Sequence, residues 1–499
     1  MQERVGRRRQ RARVLACVLA SVSVLAACGA RVPPYVGAGG ADAGANQQAA
    51  GASTDNTVAG GAVEPGAAAG PGGGPSSGGS GAVTKAPAGA APVVPAPKGF
   101  NDEAAAEAAA CTGTSGNTAS DVGITPTSIT VGNVSGLTGV ITNSFEQGPQ
   151  AVQALFAAIN AKGGICGRQL KLVVQDDGQD ASRNAANISD LIPKVFAFAG
   201  STSDVDNAGV QQMVEAKVPD VGFAINANRG QSSVFWSAGG STLYTQNGRP
   251  YSWNSLQNGL KEYNGFPKRL ALLAYSIPIS ADAAKQFAYS FKAAGSTICY
   301  ENYGISPATA SLDQDVLQMK QNNCDGVTTT MDVSGNAKLL QAEQRQNFHP
   351  TYNTVTFAGY TKAQIDVAGK DAAQGLQVTL QFLPFTDSNA VLKLYQSQLA
   401  TYQPGKDPSS FGLEAYAGAQ MFIYALLKAG RNPTRASLTA AMNALESYDT
   451  GGMMSPTTPR LRRPTGPCIV QVEVKGDQFV RKWPPSGMYC KADLVPSGP

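Results

Sequence analysis

The chain has 499 residues, enough for two or three domains of ordinary size, and 42% of them are hydrophobic, so a sizeable core can form. Only 15% are charged, against about 25% in typical globular domains, and 56 glycines and 30 prolines indicate that part of the chain does not fold. The net charge of +4 does not indicate nucleic-acid binding, because six arginines and Glu3 within residues 1–27 contribute +5 and leave −1 for the rest.

The first 27 residues have the pattern of a secretion signal. Arginines 4–13 precede an apolar run from Val14 to Ala27, shorter than the ~20 residues that a helix needs to span a bilayer. The run ends in Leu-Ala-Ala-Cys28-Gly, which resembles the lipobox of bacterial lipoproteins. In that class the cysteine receives a diacylglyceryl group and the chain is cut just before it. We therefore predict a lipid anchor at Cys28 on the outer face of the cell membrane; the alternative is a plain secretory signal with a chance cysteine.

Residues 28–121 are mostly Gly, Ala, Pro and Ser, with almost nothing large and apolar to bury. Such a segment cannot offset its ordering entropy, so we predict a disordered tether. Its function would be to hold the folded body away from the membrane.

After Gly123 the pattern alternates between strands and helices. The predicted strands are 128–132, 170–174, 195–199 and 221–225. The predicted helices are one with Val152, Leu155, Phe156 and Ile159 on a single face, then 181–191 and 204–216. This succession predicts a parallel sheet with helices on both faces.

The alternation then restarts and predicts a second α/β lobe. Its strands are 270–275, 296–300, 327–331 and 354–357, and its helices are 281–293, 312–321 and 336–346. Three further helices, 389–402, 413–429 and 435–445, and a hairpin over 468–490 complete the chain.

Three blocks of the first lobe resemble the type I periplasmic binding proteins, specifically the branched-chain amino acid and amide-binding (leucine-binding protein-like) family of ABC importers. They are Gly123–Gly132, the run Ala157–Arg168 with its Ile-Asn and Gly-Gly-Ile pairs, and Leu172–Asp180 with its acidic end. The segments 416–420 and 425–430 are also similar to that family, so the resemblance covers roughly residues 122–450.

The resemblance implies two Rossmann-like lobes joined by a hinge of three crossovers. One lobe would comprise residues 122–248 and 379–455, and the other 249–378 and 456–499. The ligand would lie in the cleft, on which the lobes close.

Ligand-binding residues are expected in the first lobe where strands end and helices begin. Ser135 and Gly136 follow the first strand. In amino-acid-binding members, the loops that match Ser201, Thr202 and Ser203 and that match Ala224, Asn226 and Asn228 bind the ligand carboxylate. Ordinary helix capping by residues 201–203 is an alternative that is compatible with this role.

The second lobe departs from the amino-acid pattern. Leucine-binding members hold the ligand ammonium with an acidic residue where this chain has Gly335, and Asp332 is the nearest acid. They stack an aromatic residue where this chain has Ile279 and Ser280. We therefore expect a ligand other than a standard branched-chain amino acid. Phe382 is a candidate for an apolar wall of the site, with core packing as the alternative.

Nothing in the sequence predicts catalysis. His349 is the only histidine, which excludes histidine-rich metal sites, and no nucleophile motif accompanies it. Asp176 and Asp177 are expected to be structural rather than a catalytic pair. We predict no enzyme activity, no metal and no cofactor.

Eight cysteines are present, of which Cys17 would leave with the signal and Cys28 would be acylated. The remaining six favour three disulfides in an oxidising compartment, with fifteen possible pairings and free thiols as the alternative. We prefer Cys299–Cys324 and Cys468–Cys490, which close local segments, and Cys111–Cys166, which ties the end of the tether to the first lobe.

The expected function is that of a monomeric receptor that captures a small polar metabolite, amino acid-like or a carboxylate or amide. It would deliver this ligand to the permease and ATPase subunits of an ABC importer. The alternative is a sensor of the same fold that feeds a membrane signalling partner; genes for a permease and an ATPase next to its own would favour transport.

Overall fold

The computed structural model describes residues 111, 116–141, 143–239, 244–462 and 466–499. The predicted signal, the lipid site at Cys28 and the tether up to residue 110 lie outside these residues. No helix within the described ranges is long and apolar enough to cross a membrane.

The first lobe is built on a five-stranded parallel sheet in the order β2-β1-β3-β4-β5. Its strands are β1 (Ser128–Ser135), β2 (Gln169–Asp176), β3 (Ala197–Ala199), β4 (Asp220–Val221) and β5 (Phe235–Trp236). The order places β1 between β2 and β3, so the loops that follow these three strands emerge side by side at one edge.

Helices cover this sheet. They are α1 (Gln147–Ala161), α2 (Ala181–Leu191), α3 (Val210–Glu215) and α4 (Ala227–Gly230). The predicted apolar face of α1 is buried: Val152, Leu155, Phe156 and Ile159 are at most 2% exposed. Three helices from the C-terminal part of the chain complete the layer, and the first two of them pack on α1. They are α10 (Ala390–Tyr402), α11 (Ser410–Ala429) and α12 (Arg435–Asn443).

The second lobe contains a seven-stranded sheet in the order β14-β13-β12-β11-β10-β8-β9. Its strands are β8 (Arg269–Tyr275), β9 (Thr297–Ile305), β10 (Gly326–Thr329), β11 (Tyr352–Val355), β12 (Gln377–Leu380), β13 (Val470–Lys475) and β14 (Gln478–Trp483). Strands β8 to β12 are parallel, and the hairpin β13–β14 adds antiparallel strands at the edge.

The helices of this lobe are α5 (Ser255–Glu262), α6 (Pro278–Ala294), α7 (Asp313–Gln321), α8 (Val333–Arg345) and α9 (Lys362–Ala368). A small antiparallel sheet, β15-β7-β6, joins Leu494–Pro496 to Arg249–Trp253 and Thr245–Gln246. The strand β8, which lies between β10 and β9, is almost wholly buried and forms one apolar run, as expected for a covered parallel strand.

The architecture confirms the predicted fold class of two α/β lobes. The chain passes between the sheets after β5, after β12 and after α12, which gives the three predicted crossovers. The second crossover follows Leu380 rather than residue 378, because Thr379 and Leu380 at the end of β12 still pair with β13.

The predicted elements are confirmed where a long helix or strand carries a continuous apolar pattern. The predicted and observed bounds differ where polar side chains form hydrogen bonds with backbone groups that a strand or helix would otherwise pair. The predicted strand 221–225 ends at Val221, and the predicted helix 204–216 is reduced to Val210–Glu215. Strand 354–357 begins earlier, at Tyr352, and Phe357 lies in a short 3₁₀ turn, Phe357–Gly359.

All three preferred disulfides are present, with Cα–Cα distances of 5.2 Å for Cys111–Cys166, 5.8 Å for Cys299–Cys324 and 4.0 Å for Cys468–Cys490. The last residues of the predicted tether were expected to be disordered, but they contact the first lobe. Thr118 N donates to Asn432 Oδ1 at 2.9 Å, and Arg168 Nη2 donates to the carbonyl of Thr118 at 2.9 Å.

Candidate ligand-binding site

The loops after the parallel strands of the two sheets meet in an aromatic cluster, called here the cleft cluster. Its buried members are Phe145, Phe223, Ile225 and Phe411 from the first lobe, and the partly buried residues packed on them are Ile141, Ile279, Phe357 and Ala358. Ligands of open parallel sheets bind at these carboxyl ends. The cleft cluster therefore occupies the expected ligand position with apolar groups from both lobes.

Phe357 forms the main contact between the lobes within this cluster. Its ring lies 5.2 Å, centroid to centroid, from both Phe223 and Phe411, and the ring of Phe145 lies 5.2 Å from that of Phe411. The Ser410 hydroxyl, at the start of α11, donates to the carbonyl of Phe357 at 2.6 Å. The lobes thus contact each other here through edge-to-face rings and one short hydrogen bond.

The predicted polar residues after β1 and β3 are brought together, but they bind each other. The Ser135 hydroxyl donates to Asn133 Oδ1 at 2.7 Å and accepts from Thr202 N at 3.0 Å. The Thr202 hydroxyl donates to the carbonyl of Phe145 at 2.7 Å, and Ser201 Oγ accepts from Val134 N at 3.1 Å. These buried hydroxyls hold the loops in place.

The other two residues of these loops also serve the loop structure. Gly136 N donates to the carbonyl of Thr202 at 3.0 Å, and Ser203 Oγ accepts from Val205 N at 3.3 Å. The first contact joins the two loops and the second is local, so residues 135–136 and 201–203 form one connected edge of the first sheet.

The loop after β4 directs its backbone donors at a carboxylate of the protein itself. Asp206 Oδ2 accepts from Ile225 N at 2.8 Å, and its Oδ1 accepts from Asn226 N at 3.1 Å and Asn226 Nδ2 at 2.7 Å. Ala224 is fully buried and Asn228 is exposed. An internal carboxylate therefore binds the N–H groups that the family resemblance assigned to a ligand carboxylate.

A buried ion-pair network supports this arrangement. Arg229, 2% exposed, donates to Asp206 at 3.2 Å and to both carboxylate oxygens of Asp220 at 2.8 and 3.0 Å. Although burial favours its neutral form, the two aspartates raise the pKa of Arg229. Arg229 also donates to the carbonyls of Ser201 and Phe223, which ties the network to both predicted loops.

Further acidic groups at this edge do not form a catalytic pair. Burial, with Asp177 and Asp206 nearby, raises the pKa of Asp204 to about 6. Burial also opposes ionisation of Asp176, but hydrogen bonds from the Thr138 hydroxyl and three backbone N–H groups lower its pKa. Asp177 accepts from Gln179 N and Asn184 Nδ2 at 2.8 Å each. Asp176 and Asp177 thus hold loops in place.

In the second lobe, the candidate for an ammonium-binding acid is already paired. Asp332 caps α8, accepting from Gly335 N at 2.8 Å, and it accepts from the Tyr275 hydroxyl at 2.5 Å. Burial and this hydrogen bond raise the pKa of Tyr275. A Cβ atom at position 335 would lie 2.3 Å from the Tyr275 hydroxyl oxygen. An acidic side chain at this position, as in leucine-binding members, is therefore incompatible with the Tyr275–Asp332 contact.

The other residues predicted for the second-lobe side of the site lie in different places. Ile279 packs against the cleft cluster. Ser280 turns inward, where its Oγ accepts from Tyr275 N at 3.0 Å and donates to the carbonyl of Thr330 at 2.8 Å. Phe382 is fully buried away from the cleft cluster, with its ring centroid 6.0 Å from each of those of Tyr360 and Phe385. The structure therefore places Phe382 in the core.

Sequence reasoning missed the four aromatic residues that dominate the cleft: Phe145, Phe223, Phe357 and Phe411. Both Phe223 and Phe357 fell within predicted strands, and only Phe357, the last residue of the predicted strand 354–357, lay where a ligand-binding role could be inferred. Within the described residues, no group of three or more His, Cys, Asp or Glu side chains is placed to hold a metal ion.

Residues 128–478 match the family model described as periplasmic binding protein. The chain belongs to this family, whose members are substrate-binding proteins of transporters and not enzymes, and which work outside the cytoplasm. No curated protein matches the chain in sequence.

Three solved structures share the fold. A fatty acid ABC transporter substrate-binding protein from Thermomonospora curvata has a TM-score of 0.62 at 18% identity, covering 76% of this chain and 94% of its own. The branched-chain amino acid binding protein LivJ from Streptococcus pneumoniae, in complex with isoleucine, has a TM-score of 0.58 at 15% identity, covering 71% and 100%. A solute-binding protein from Rhodopseudomonas palustris, in complex with 3,4-dihydroxybenzoic acid, has a TM-score of 0.58 at 18% identity, covering 73% and 99%.

Proposed function

We propose that this protein is a lipid-anchored receptor that captures a small molecule with an apolar body between its two lobes and delivers it to the permease and ATPase of an ABC importer. The observation that carries the proposal is the cleft cluster, in which aromatic side chains of both lobes line the position where ligands of this fold bind. Rings offer a ligand a large apolar contact area and little hydrogen bonding.

The polar contacts of the first lobe argue against an amino acid as the ligand. An α-amino acid needs donors for its carboxylate, and the N–H groups of Ile225 and Asn226 donate to Asp206 instead. A bound carboxylate would also approach Asp206 and Asp204, both acidic.

The contacts of the second lobe likewise argue against binding of the ammonium group of an amino acid. Asp332 already accepts from Tyr275 and Gly335, and position 335 cannot carry an acid without moving Tyr275. We therefore replace the expectation of a small polar metabolite with that of a molecule whose body is mainly apolar.

Calorimetric titration tests the ligand class. The probes are leucine, isoleucine and valine on one side, and octanamide on the other, with octanoate as the carboxylate of the same chain length that should bind more weakly than octanamide. We expect no micromolar binding of the three amino acids and measurable binding of at least one apolar-bodied probe. Phe223→Ala should weaken that binding at least tenfold, whereas Phe348→Ala, in the separate core of the second lobe, should not. Micromolar binding of leucine, isoleucine or valine would refute the proposal.

The anchor is a separate part of the proposal. It comprises cleavage before Cys28, acylation of that cysteine and a tether that ends near Cys111, which the disulfide with Cys166 ties to the first lobe. In cells fed radiolabelled palmitate, the wild type should become labelled and remain with the membrane. The Cys28→Ala variant should lose both the label and the membrane association. Equal labelling of the two would disprove the assignment of Cys28.

A further inference from the structure

A pocket of about 180 Å³ lies within the second lobe, beneath the cleft cluster. Its floor is the face of β10, β11 and β12 that carries Thr328, Thr354 and Thr379, and its roof is formed by α5 and α6. Phe357 lines this pocket on one side and belongs to the cleft cluster on the other. The pocket is therefore separate from the space between the lobes.

The floor of this pocket is unusually polar for a covered parallel sheet. Such strands normally carry apolar side chains on both faces, and the opposite face follows that rule with Val327, Val355 and Val378, all at most 3% exposed. On the pocket side, Thr328 and Thr354 lie opposite each other in register and are each 4% exposed. Polar side chains that are buried beneath helices need hydrogen-bond partners to offset the loss of their contacts with water.

Some of these hydroxyls remain available as acceptors. The Thr354 hydroxyl donates to the carbonyl of Gln377 at 3.0 Å, and the Thr379 hydroxyl donates to Gln471 Oε1 at 2.6 Å. Because each hydroxyl has one hydrogen, which is already used, only its lone pairs can bind a ligand donor.

Three buried polar atoms of the pocket lining, on Trp253, Gln257 and Tyr352, lack a hydrogen-bond partner among the described residues. Gln257 is only 5% exposed, and its Oε1 has no hydrogen-bond partner among the described residues. The indole N–H of Trp253 is likewise buried without an acceptor within the described ranges. A buried polar atom left unpaired is destabilising, because it has lost its hydrogen bonds to water. The lining thus holds an unpaired acceptor, an unpaired donor and the Tyr352 hydroxyl, which can act as either, and these groups indicate a ligand that supplies both a donor and an acceptor.

The residues that line the pocket also limit the charge and the size of its ligand. None of the described residues that line the pocket is charged, so a buried ionic group would have no counter-ion there. Apolar cavities of about 150 Å³ bind benzene, and a pocket of about 180 Å³ fits one substituted ring. Ala283 and Phe287, one turn apart on α6, give the ring an apolar wall.

We propose that this pocket is a second binding site, for a neutral molecule of single-ring size that carries at least one hydrogen-bond donor and one acceptor. The pocket touches β7, Gln381 and Gly466, which lie at the three crossovers between the lobes. The proposal does not rest on the proposed cleft ligand or on transport.

Benzamide is the probe, because its carbonyl can accept from Trp253 and its amide N–H groups can donate to Gln257. Protein-detected NMR titration of the full chain in detergent should give saturable shifts of pocket residues. Benzoate, of the same size but charged, should bind at least tenfold more weakly.

Variants of the pocket make the test specific. Ala283→Phe fills the space and should raise the dissociation constant for benzamide at least tenfold. Ala293→Phe, an exposed position on the same helix, should leave it unchanged. Gln257→Leu should weaken benzamide binding at least tenfold without lowering the melting temperature of the free protein, because it removes an unpaired buried group.

Three outcomes would overturn the proposal: absence of saturable benzamide binding, equal affinity in Ala283→Phe and Ala293→Phe, or tighter binding of benzoate than of benzamide. A melting temperature that falls in Gln257→Leu would assign the glutamine to the fold instead. None of these results bears on the titration of octanoate, octanamide and amino acids, so the two proposals fail separately.

Discussion

The ring of Phe357, which follows the strand β11 of the second lobe, lies 5.2 Å from the ring of Phe411 at the start of α11 in the first lobe. Ser410, next to Phe411, donates to the backbone carbonyl of Phe357 at 2.6 Å. One aromatic contact and one hydrogen bond thus connect the lobes at the same point. The balance between open and closed forms should depend strongly on this residue pair.

We predict that Phe357→Ala shifts the unliganded protein toward an open form, because the variant loses the ring contacts with Phe223 and Phe411. Small-angle X-ray scattering should give a larger radius of gyration than for the wild type. Phe348→Ala, which removes the same atoms from a partly buried ring within the second lobe, should leave the radius unchanged. Equal radii for all three proteins would contradict the role of Phe357.

A second prediction concerns Asp206, the carboxylate that binds the loop after β4. Asp206→Ala leaves two backbone N–H groups unpaired and removes one of the two acidic partners of buried Arg229. Breaking a buried pair on one side costs about 3–5 kcal/mol, and urea unfolding should show a loss of this size.

The matched control for Asp206 is Asp282→Ala, which removes an exposed aspartate paired with Lys285. Exposed pairs contribute about 0–1 kcal/mol, so this variant should be close to the wild type. If Asp206→Ala were as stable as the control, the internal-carboxylate interpretation of the loop would be wrong.

The two-lobed fold could be predicted because apolar runs such as Leu270–Tyr275 and the α1 face are long and regular. Short elements such as β5, two residues long, and β12, four residues long, carry too little pattern to be recognised. The predicted strand 221–225 ended early because the backbone N–H of Ile225 donates to Asp206 and not to a neighbouring strand.

The candidate site was less predictable for a related reason. Ser135, Ser201 and Thr202 lie at strand ends as expected, but the sequence does not show that their hydroxyls bind groups of the neighbouring loops and strands. The cleft cluster combines side chains from five separate segments of the chain. Its composition therefore depends on how the lobes pack, which local periodicity does not encode.

A third prediction concerns the close approach of Gly335 to Tyr275. Gly335→Ala places a Cβ atom 2.3 Å from the Tyr275 hydroxyl oxygen and should destabilise the protein by about 1–3 kcal/mol, as overpacking does. Tyr275→Phe removes that oxygen and should cost about 1 kcal/mol through the lost hydrogen bond to Asp332.

The double variant distinguishes a steric clash from a general effect at the helix start. With the hydroxyl removed, the closest contact is lost, while Cζ of residue 275 at 2.8 Å and Met331 Cβ at 2.9 Å remain. Gly335→Ala should therefore cost less than in the wild type, with a coupling energy above about 0.5 kcal/mol. Simple additivity of the two single variants in urea unfolding would show that the Tyr275 hydroxyl does not contribute to the clash.

A fourth prediction follows from Glu343 on α8, which is 4% exposed and whose Oε2 accepts from Asn353 Nδ2 at 2.6 Å. Burial raises the pKa of Glu343 to about 8. Its Oε1 and Asn353 Oδ1 have no other partner among the described residues, so the neutral acid can donate from one to the other. The folded protein therefore favours the protonated form.

The sign of the pH dependence follows from linkage. Below the ordinary pKa of about 4.5 both folded and unfolded states hold the proton, and the contribution of Glu343 to stability is fully present. Between about pH 4.5 and about pH 8, Glu343 is ionised in the unfolded state but stays protonated in the folded state. The free energy of unfolding then falls by roughly 1.4 kcal/mol per pH unit from this group.

Glu343→Gln should reduce this loss, because glutamine can pair with Asn353 as the neutral acid does and does not titrate. Between pH 5 and pH 8, the drop in unfolding free energy should be smaller than in the wild type by on the order of 4 kcal/mol. Burial also raises the pKa of Glu414 to about 8, so part of the wild-type drop should remain in the variant. Glu215→Gln, at an exposed position on α3, should keep the wild-type profile. Parallel profiles for all three proteins would show that Glu343 is ionised in the folded state near neutral pH.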